Sequence, residues 1–136
     1  MNTNKDILLK IVRNHTNDTG NLIAFDHEKD FQKLIKRSFV VNCSEATIRG
    51  RHAHKKLNQF LICIRGICKV ICEDGISREE ITLDKPNQIL KIPSQIWSEQ
   101  HYIVKDTSLL VMCDQVFIEE DYIRDYNKFI EYRNNS

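Results

Sequence analysis

The stretch Arg49-Gly-Arg-His-Ala-His-Lys-Lys-Leu-Asn-Gln59 carries the most informative pattern in the chain. His52 and His54 are two positions apart, and such side chains point to the same face of a β-strand. Gln59 follows His54 after four residues, and Gly66 follows Gln59 after six more. The pattern therefore predicts a strand that presents two imidazoles to one site, followed by an amide and a glycine turn.

Short apolar runs surround this stretch at intervals of about eight to twelve residues, which is typical of all-β sandwiches and barrels. Asp18 and Gly20 predict a turn that joins residues 7–12 and 21–25 into a first hairpin. Only residues 120–132 predict an amphipathic helix, because apolar residues recur there at three and four positions. With 136 residues, the chain is predicted to form a single domain, 1–136.

Charge and cysteine content narrow the function classes. The formal net charge is +1 with acids and bases interleaved, so no general field recruits nucleic acid or an anionic membrane. No apolar stretch reaches the roughly 18 residues of a membrane span, and the first residues lack the pattern of a signal peptide. The five cysteines are odd in number and lie mostly in apolar runs. They predict reduced core residues of a cytoplasmic protein.

The spacing of the two histidines, Gln59 and Gly66 resembles the first sequence motif of the cupins. It predicts an all-β fold, a cupin-type jelly-roll β-barrel with a short C-terminal helix. In metal-binding cupins the position of Gln59 holds a glutamate, and a second motif supplies another histidine where this chain has Ser98. Two imidazoles alone are a poor ligand set for a divalent ion, and His101 would face the opposite side of a regular strand from Ser98. We therefore expect no metal and no other cofactor.

Basic residues crowd the two histidines. Arg49 and Arg51 are candidates for substrate binding, because a guanidinium group can donate two hydrogen bonds to one phosphate. Plain solvation is the alternative for these arginines, and more so for Lys55 and Lys56. Gln59 would offer both a donor and an acceptor to a sugar hydroxyl or carbonyl.

Four segments together resemble the dTDP-4-keto-6-deoxyglucose 3,4-ketoisomerases of bacterial deoxyamino-sugar pathways, over nearly the whole chain. They are Asp18-Thr-Gly-Asn-Leu22, Arg49-Gly-Arg-His-Ala-His-Lys55 with Gln59, Trp97-Ser-Glu99 and Asp121-Tyr-Ile-Arg-Asp-Tyr126. The resemblance implies a homodimeric cupin, often with exchanged N-terminal strands. It also implies binding of a dTDP-linked keto sugar without a metal, in the biosynthesis of surface glycans, with His52 and His54 performing the proton transfers.

The chemistry of such an isomerase explains why two proton-transferring groups are needed. Moving the carbonyl from C4 to C3 removes the C3 proton, passes through an enediol and delivers a proton to C4. Histidine, with an unperturbed pKa of about 6.5, can accept and return protons at neutral pH. Our hypothesis assigns the carbon-bound proton to His52 and the protons on oxygen to His54.

Two positions depart from the family pattern. Ser98 stands where the family has a histidine, and Phe39 stands where it has an active-site tyrosine. Ser98, Glu99, Tyr102 or water would then substitute for the missing groups, or the substrate or product stereochemistry would differ. Glu99 could also raise the pKa of a nearby histidine, or be an ordinary surface residue.

Aromatic residues outside the motif have two interpretations. Trp97 is predicted either as a core residue or as an aromatic wall beside a sugar or base. Tyr122, Arg124 and Tyr126 are assigned to the C-terminal helix, outside the active site.

Three other functions remain open for the sequence. They are a metal-dependent cupin enzyme, a non-catalytic nucleotide-sugar-binding cupin that has lost groups at positions 39 and 98, and a sugar 3,5-epimerase that would also exchange the C5 proton.

Overall fold

The computed structural model of the chain describes residues 1–136 and contains two five-stranded antiparallel sheets. In spatial order, the first sheet consists of β1 (Leu8–Ile11), β9 (Gln88–Ile92), β6 (Gln59–Arg65), β11 (Thr107–Cys113) and β4 (Arg37–Cys43). The second consists of β12 (Tyr122–Ile123), β5 (Thr47–His54), β10 (Trp97–Tyr102), β7 (Cys68–Glu73) and β8 (Arg78–Leu83). A separate hairpin pairs β2 (Asn14–Asn17) with β3 (Gly20–Ile23). No helix in the structure is long and apolar enough to cross a membrane.

The main hydrophobic core lies between the two sheets. Leu61, Leu90 and Val111 of the first sheet pack in one cluster with Val70 and Tyr102 of the second, all nearly inaccessible to solvent. Alternating side chains of each strand supply this layer, as in other sheet-on-sheet packings. The predicted all-β jelly-roll with a short C-terminal helix is confirmed.

Each sheet also has a covered outer face. Phe31, from the single π-helical turn His27–Phe31, packs on Phe60 outside the first sheet, with ring centroids 5.0 Å apart. The helix α1 (Tyr126–Asn134) covers the second sheet by placing Phe129 beside Trp97 and Ala53. The outer face of β10 is therefore covered at Trp97 by the chain's own helix.

Two predicted elements were wrong in their limits. The helix begins at Tyr126, where Asp125 accepts a hydrogen bond from the Lys128 N–H as N-cap. The residues before it form a 3-10 turn (Glu119–Asp121) and the strand β12, which pairs with β5. In the predicted first hairpin, the turn is correct but only β2 and β3 pair, whereas β1 pairs with β9 instead.

The predicted glycine turn after β6 is confirmed, and it is tightly packed. Gly66 has φ +85, and a Cβ atom there would meet the Cα and Cβ atoms of Thr107 at 2.8 and 2.9 Å. Thr107 is itself fully buried and donates a hydrogen bond from its hydroxyl to the Val104 carbonyl at 2.7 Å. The turn thus needs glycine both for its backbone conformation and for space.

All five cysteines are free and buried. They lie in the edge strand β4 and in the interior strands β6, β7 and β11. Burial raises the pKa of Cys63, of Cys68 and Cys72 to about 12, and of Cys113 to about 11.

A buried carboxylate attaches the N-terminus to the β7–β8 turn. Asp74 accepts hydrogen bonds from the backbone N–H groups of Asn4, Ile76 and Ser77 and from the Ser77 hydroxyl, at 2.8–3.1 Å. Burial opposes ionisation, but these hydrogen bonds lower the pKa of Asp74 to about 2. The carboxylate therefore stabilises the fold above the pKa of an unfolded aspartate, about 3.9, and this stabilisation is lost as the pH falls towards 2.

The variant Asp74→Asn is expected to lower the free energy of unfolding by about 2 kcal/mol at pH 7, because the charged acceptor is replaced. Urea titrations across the pH range would show the difference from wild type shrinking below pH 4 and vanishing near pH 2. Asp84→Asn is the matched control, because the carboxylate of the exposed Asp84 forms no hydrogen bond or ion pair. A pH-independent difference for Asp74→Asn would contradict this account.

Candidate active site

A β-bulge in β5 places the histidine motif. His52 pairs with Ser98, but the next pair is Gly50 with Glu99, so Arg51 has no partner on β10. Gly50 and Arg51 both have positive φ, +87 and +57, and a glycine in the left-handed region is the usual first residue of one class of bulge. Because the extra residue shifts the alternation, Arg49 shares a face with His52 and His54 instead of opposing them.

This face opens into a cavity of about 460 Å³ between the two sheets. It brings together three arginines, two histidines and two glutamines with several aromatic and apolar groups. The lining residues are Arg37, Phe39, Val41, Arg49, Gly50, His52, His54, Gln59, Gln100, Cys113, Tyr122 and Arg124.

Three rings are grouped at the cavity wall. The imidazoles of His52 and His54 meet edge to face with centroids 4.8 Å apart. The Tyr122 ring lies 4.3 Å from His54 and 5.1 Å from His52. A phenol thus adjoins both imidazoles, although position 39 holds a phenylalanine.

Both histidines are held in the neutral form. Burial lowers the pKa of His52, although a hydrogen bond to the Gly50 backbone raises it. Burial and the neighbouring His52 imidazole lower the pKa of His54, against the opposing effect of Asp121, whose Oδ2 lies 3.0 Å from His54 Nδ1. At neutral pH each ring therefore has one N–H donor and one nitrogen lone pair, as acid–base chemistry requires.

The arginines give the cavity an anion-binding wall. The Arg37 guanidinium stacks between Phe39 and Phe117, 4.8 and 5.4 Å from the ring centroids, and its buried Nη1 has no hydrogen-bond partner. Arg124 lies 4.2 Å over the Tyr122 ring. Unlike Arg37, Arg124 is already paired, with Glu119.

Four of the predicted site residues come together in this cavity: Arg49, His52, His54 and Gln59. The other five predicted site residues do not line it. They are Arg51, Trp97, Ser98, Glu99 and Tyr102.

Three of the five residues outside the cavity lining face away from the cavity. Trp97 packs against the C-terminal helix and donates its indole N–H to Glu99, so the core interpretation applies. Glu99 shares the outer face of β10 with His101, which bears out the alternation argument. Arg51 projects from the bulge with its side chain 61% exposed and its Nε 4.0 Å from Glu99.

Ser98 and Tyr102 lie on the inner face of β10 but outside the cavity lining. Ser98 is fully buried and its hydroxyl has no hydrogen-bond partner. Tyr102 is buried in the main core and donates its hydroxyl proton to Gln100 at 2.8 Å. Tyr102 thus holds Gln100, which is the residue of this pair that lines the cavity.

Several cavity residues were missed by the sequence analysis. The assignment of Tyr122 and Arg124 to a helix outside the site was wrong, because β12 pairs Tyr122 directly with His54. Arg37 and Gln100 carried no local signal. Tyr122 and Arg124 belong to the segment Asp121–Tyr126 that supported the family resemblance, so that segment could have drawn attention to them.

No three or more histidine, cysteine, aspartate or glutamate side chains are grouped so that they could hold a metal ion. Two facing antiparallel sheets, with paired histidines presented to a cavity between them, define the cupin class.

Comparison with known proteins identifies the family to which the chain belongs within the cupin class. Residues 5–134 match the family described as FdtA: WxcM-like, C-terminal, and the chain belongs to this family. A TDP-4-oxo-6-deoxy-alpha-D-glucose-3,4-oxoisomerase from Aneurinibacillus thermoaerophilus is 39% identical over 114 residues, which cover 83% of this chain and 82% of that protein.

Solved structures agree with the family assignment. A 3,4-ketoisomerase from Helicobacter canadensis superimposes with a TM-score of 0.90 at 32% identity, over 95% of this chain and 98% of that chain. The sugar 3,4-ketoisomerase QdtA from Thermoanaerobacterium thermosaccharolyticum, in complex with TDP, gives 0.90 at 28% identity, over 96% of each chain.

Proposed function

We propose that this chain is an isomerase, a sugar 3,4-ketoisomerase that converts dTDP-4-keto-6-deoxyglucose into a dTDP-3-keto-6-deoxyhexose. The observation that carries the proposal is the pair of neutral imidazoles, 4.8 Å apart, in a cavity lined by three arginines. The 39% identical relative is named for the same reaction. A mutant of QdtA, 27% identical, has been solved with TDP-4-keto-6-deoxyglucose.

The reaction needs one group to take a proton from carbon and one to return it. His52 and His54 meet this need because each neutral ring can accept a proton at one nitrogen and donate from the other. In the scheme, an imidazole takes the C3 proton, the C3–H electron pair forms the C3–C4 double bond, and the π pair of the C4 carbonyl moves to O4, which gains a proton. The enediol then loses the O3 proton, forms the C3 carbonyl and takes up a proton at C4. No external oxidant or reductant is needed.

The arginines suit the diphosphate of the nucleotide. Arg37 lines the cavity and is held in place between two aromatic rings, and its buried Nη1 has no hydrogen-bond partner. Arg49 reaches the same cavity through the bulge. Guanidinium groups bind phosphate oxygens with charge-assisted, often bidentate hydrogen bonds. A diphosphate in the cavity would offer anionic acceptors to the guanidinium groups of Arg37 and Arg49.

Assembly and cellular location form part of the same proposal. The β2–β3 hairpin is exposed along seven of its eight strand positions, and Leu22 on it is 62% exposed. Leu8 and Ile11 on the edge strand β1 are 56% and 60% exposed. These apolar groups favour a homodimer with exchanged N-terminal strands. The five reduced, buried thiols are consistent with a cytoplasmic enzyme.

The function is tested by incubating the purified, EDTA-treated protein with dTDP-4-keto-6-deoxyglucose in D₂O and following the sugar protons by NMR. We expect the carbonyl to move to C3, with deuterium at C4 and none at C5. In a parallel reaction in H₂O, the coupling between H4 and H5 would also give the C4 configuration of the product.

Each alternative function predicts a different result. Deuterium at C5 would identify an epimerase, and turnover only after a divalent metal is added would identify a metal-dependent cupin. Binding of dTDP without turnover would identify a non-catalytic binding protein. Any of these results would overturn the proposed function.

A further inference from the structure

The carboxylate of Asp121 connects β5, the strand that carries the two histidines, to the segment just before β12. Asp121 Oδ2 lies 3.0 Å from His54 Nδ1, and Asp121 Oδ1 accepts the backbone N–H of Lys56 at 2.7 Å. The Leu57 N–H approaches Oδ2 at 3.4 Å, and the Asp121 carbonyl accepts the Lys55 N–H at 2.9 Å. Asp121 is therefore fixed by the loop that directly follows the histidine motif.

The pairing of β12 with β5 places Asp121 beside His54. Pairing of Tyr122 with His54 and of Ile123 with Ala53 aligns β12 along the end of β5. Asp121 ends the 3-10 turn just before this pairing, with its side chain only 12% exposed. The contact is thus held by main-chain hydrogen bonds on both sides.

An ionised carboxylate can only accept hydrogen bonds. Nδ1 of His54 must therefore carry the hydrogen, and Nε2 of the same neutral ring must carry the lone pair. We propose that Asp121 is a positioning residue for the isomerisation: it fixes His54 in the Nδ1–H tautomer and leaves Nε2 as the proton acceptor of the cavity. This inference rests on the proposed function.

The charge of Asp121 has a second effect. When His54 accepts a proton it becomes an imidazolium, and an adjacent carboxylate stabilises that cation. This opposes the burial that lowers the pKa of His54. The other charged or titratable groups that line this cavity are His52, Tyr122, Arg124, Arg37, Arg49 and Cys113. Asp121 is not part of the cavity lining, but it is the anion that contacts the His54 ring.

The test uses Asp121→Asn, in which the two polar atoms of the side chain are no longer equivalent. The short bond from the Lys56 N–H needs an acceptor, so the amide oxygen will keep that position. The amide NH₂ then takes the place of Oδ2 and donates to His54 Nδ1. The variant is therefore expected to reverse the tautomer, moving the hydrogen to Nε2.

Three measurements report this change. Imidazole ¹⁵N NMR should show the Nδ1–H tautomer of His54 in wild type and the Nε2–H tautomer in Asp121→Asn. We expect kcat to fall by about 10²- to 10⁴-fold, the range of a misplaced acid–base group, while KM changes less than about 3-fold because uniform binding is kept. The acidic limb of the pH–rate profile should move to lower pH, because loss of the negative charge lowers the pKa of His54.

Asp125→Asn is the matched control. It removes the same charge nearby but keeps an N-cap for α1, and we expect full activity and an unchanged His54 tautomer. Wild-type His54 in the Nε2–H form, or Asp121→Asn with wild-type tautomer and kcat, would overturn the inference. The wild-type spectrum needs no variant and no turnover. Failure of the proposed function would appear in the activity assay alone, so the two failures are distinguishable.

Discussion

Replacing His54 with asparagine should lower kcat for keto isomerisation by about 10²- to 10⁴-fold, the contribution of a positioned acid or base. Asparagine keeps the polar character and approximate size of the side chain but cannot accept and return a proton at neutral pH. His52→Asn should show a loss of the same order, since the ring of His52 lies against that of His54 in the same cavity. The measurement is the NMR assay in D₂O with dTDP affinity determined in parallel.

The chain offers a closely matched control for this substitution. His101 lies on the neighbouring strand β10 but on its outer face, where its ring approaches Glu99 and not the cavity. His101→Asn should therefore retain activity. If the folded His52→Asn and His54→Asn proteins each bound dTDP and kept the kcat of wild type, the two-histidine mechanism would be refuted.

Gly66→Ala should be among the most destabilising small substitutions in this chain. The added methyl group would overlap Thr107, a buried residue that cannot move aside, and φ +85 is unfavourable for alanine. Left-handed backbone costs about 1–2 kcal/mol for a residue with a Cβ, and forced overpacking costs about 1–3 kcal/mol. We expect urea unfolding to report a loss of about 2–5 kcal/mol.

Gly20→Ala is the control for the effect of glycine itself. A Cβ at position 20 would meet nothing within 4 Å, and the residue needs no positive φ. Its expected change in unfolding free energy is within about 0.5 kcal/mol. A change that small for Gly66→Ala would mean that the turn after β6 can rearrange freely.

The strands could be predicted where alternation and turn chemistry agree locally. The turn at Asp18 and Gly20 and the turn at Gly66 were both placed correctly. The helix was predicted to begin too early. Ile123 fits the helical spacing, but it lies in β12 and pairs with Ala53. Long-range strand pairing overrides a local pattern of this kind, and a β-branched residue such as isoleucine suits it.

The site was predictable only in the part that one strand supplies. His52 and His54 could be paired from their spacing, but the bulge at Gly50 and Arg51 is a backbone event that brings Arg49 onto the face of the two histidines and leaves Arg51 outside the cavity. Arg37 and Tyr122 reach the cavity from elements far away in sequence. Their positions depend on tertiary pairing, about which the sequence near the histidines carries no information.

The buried cysteines have a practical meaning for anyone handling this protein. Thiol reagents attack the thiolate, and burial keeps that form scarce while the sheets are closed. Cys113 lines the cavity and Cys43 lies on the edge strand β4. Cys63, Cys68 and Cys72 lie on interior strands of the two sheets, and no fraying of a terminus exposes them. The rate at which these thiols are modified would therefore report cooperative opening of the whole barrel, without any added label.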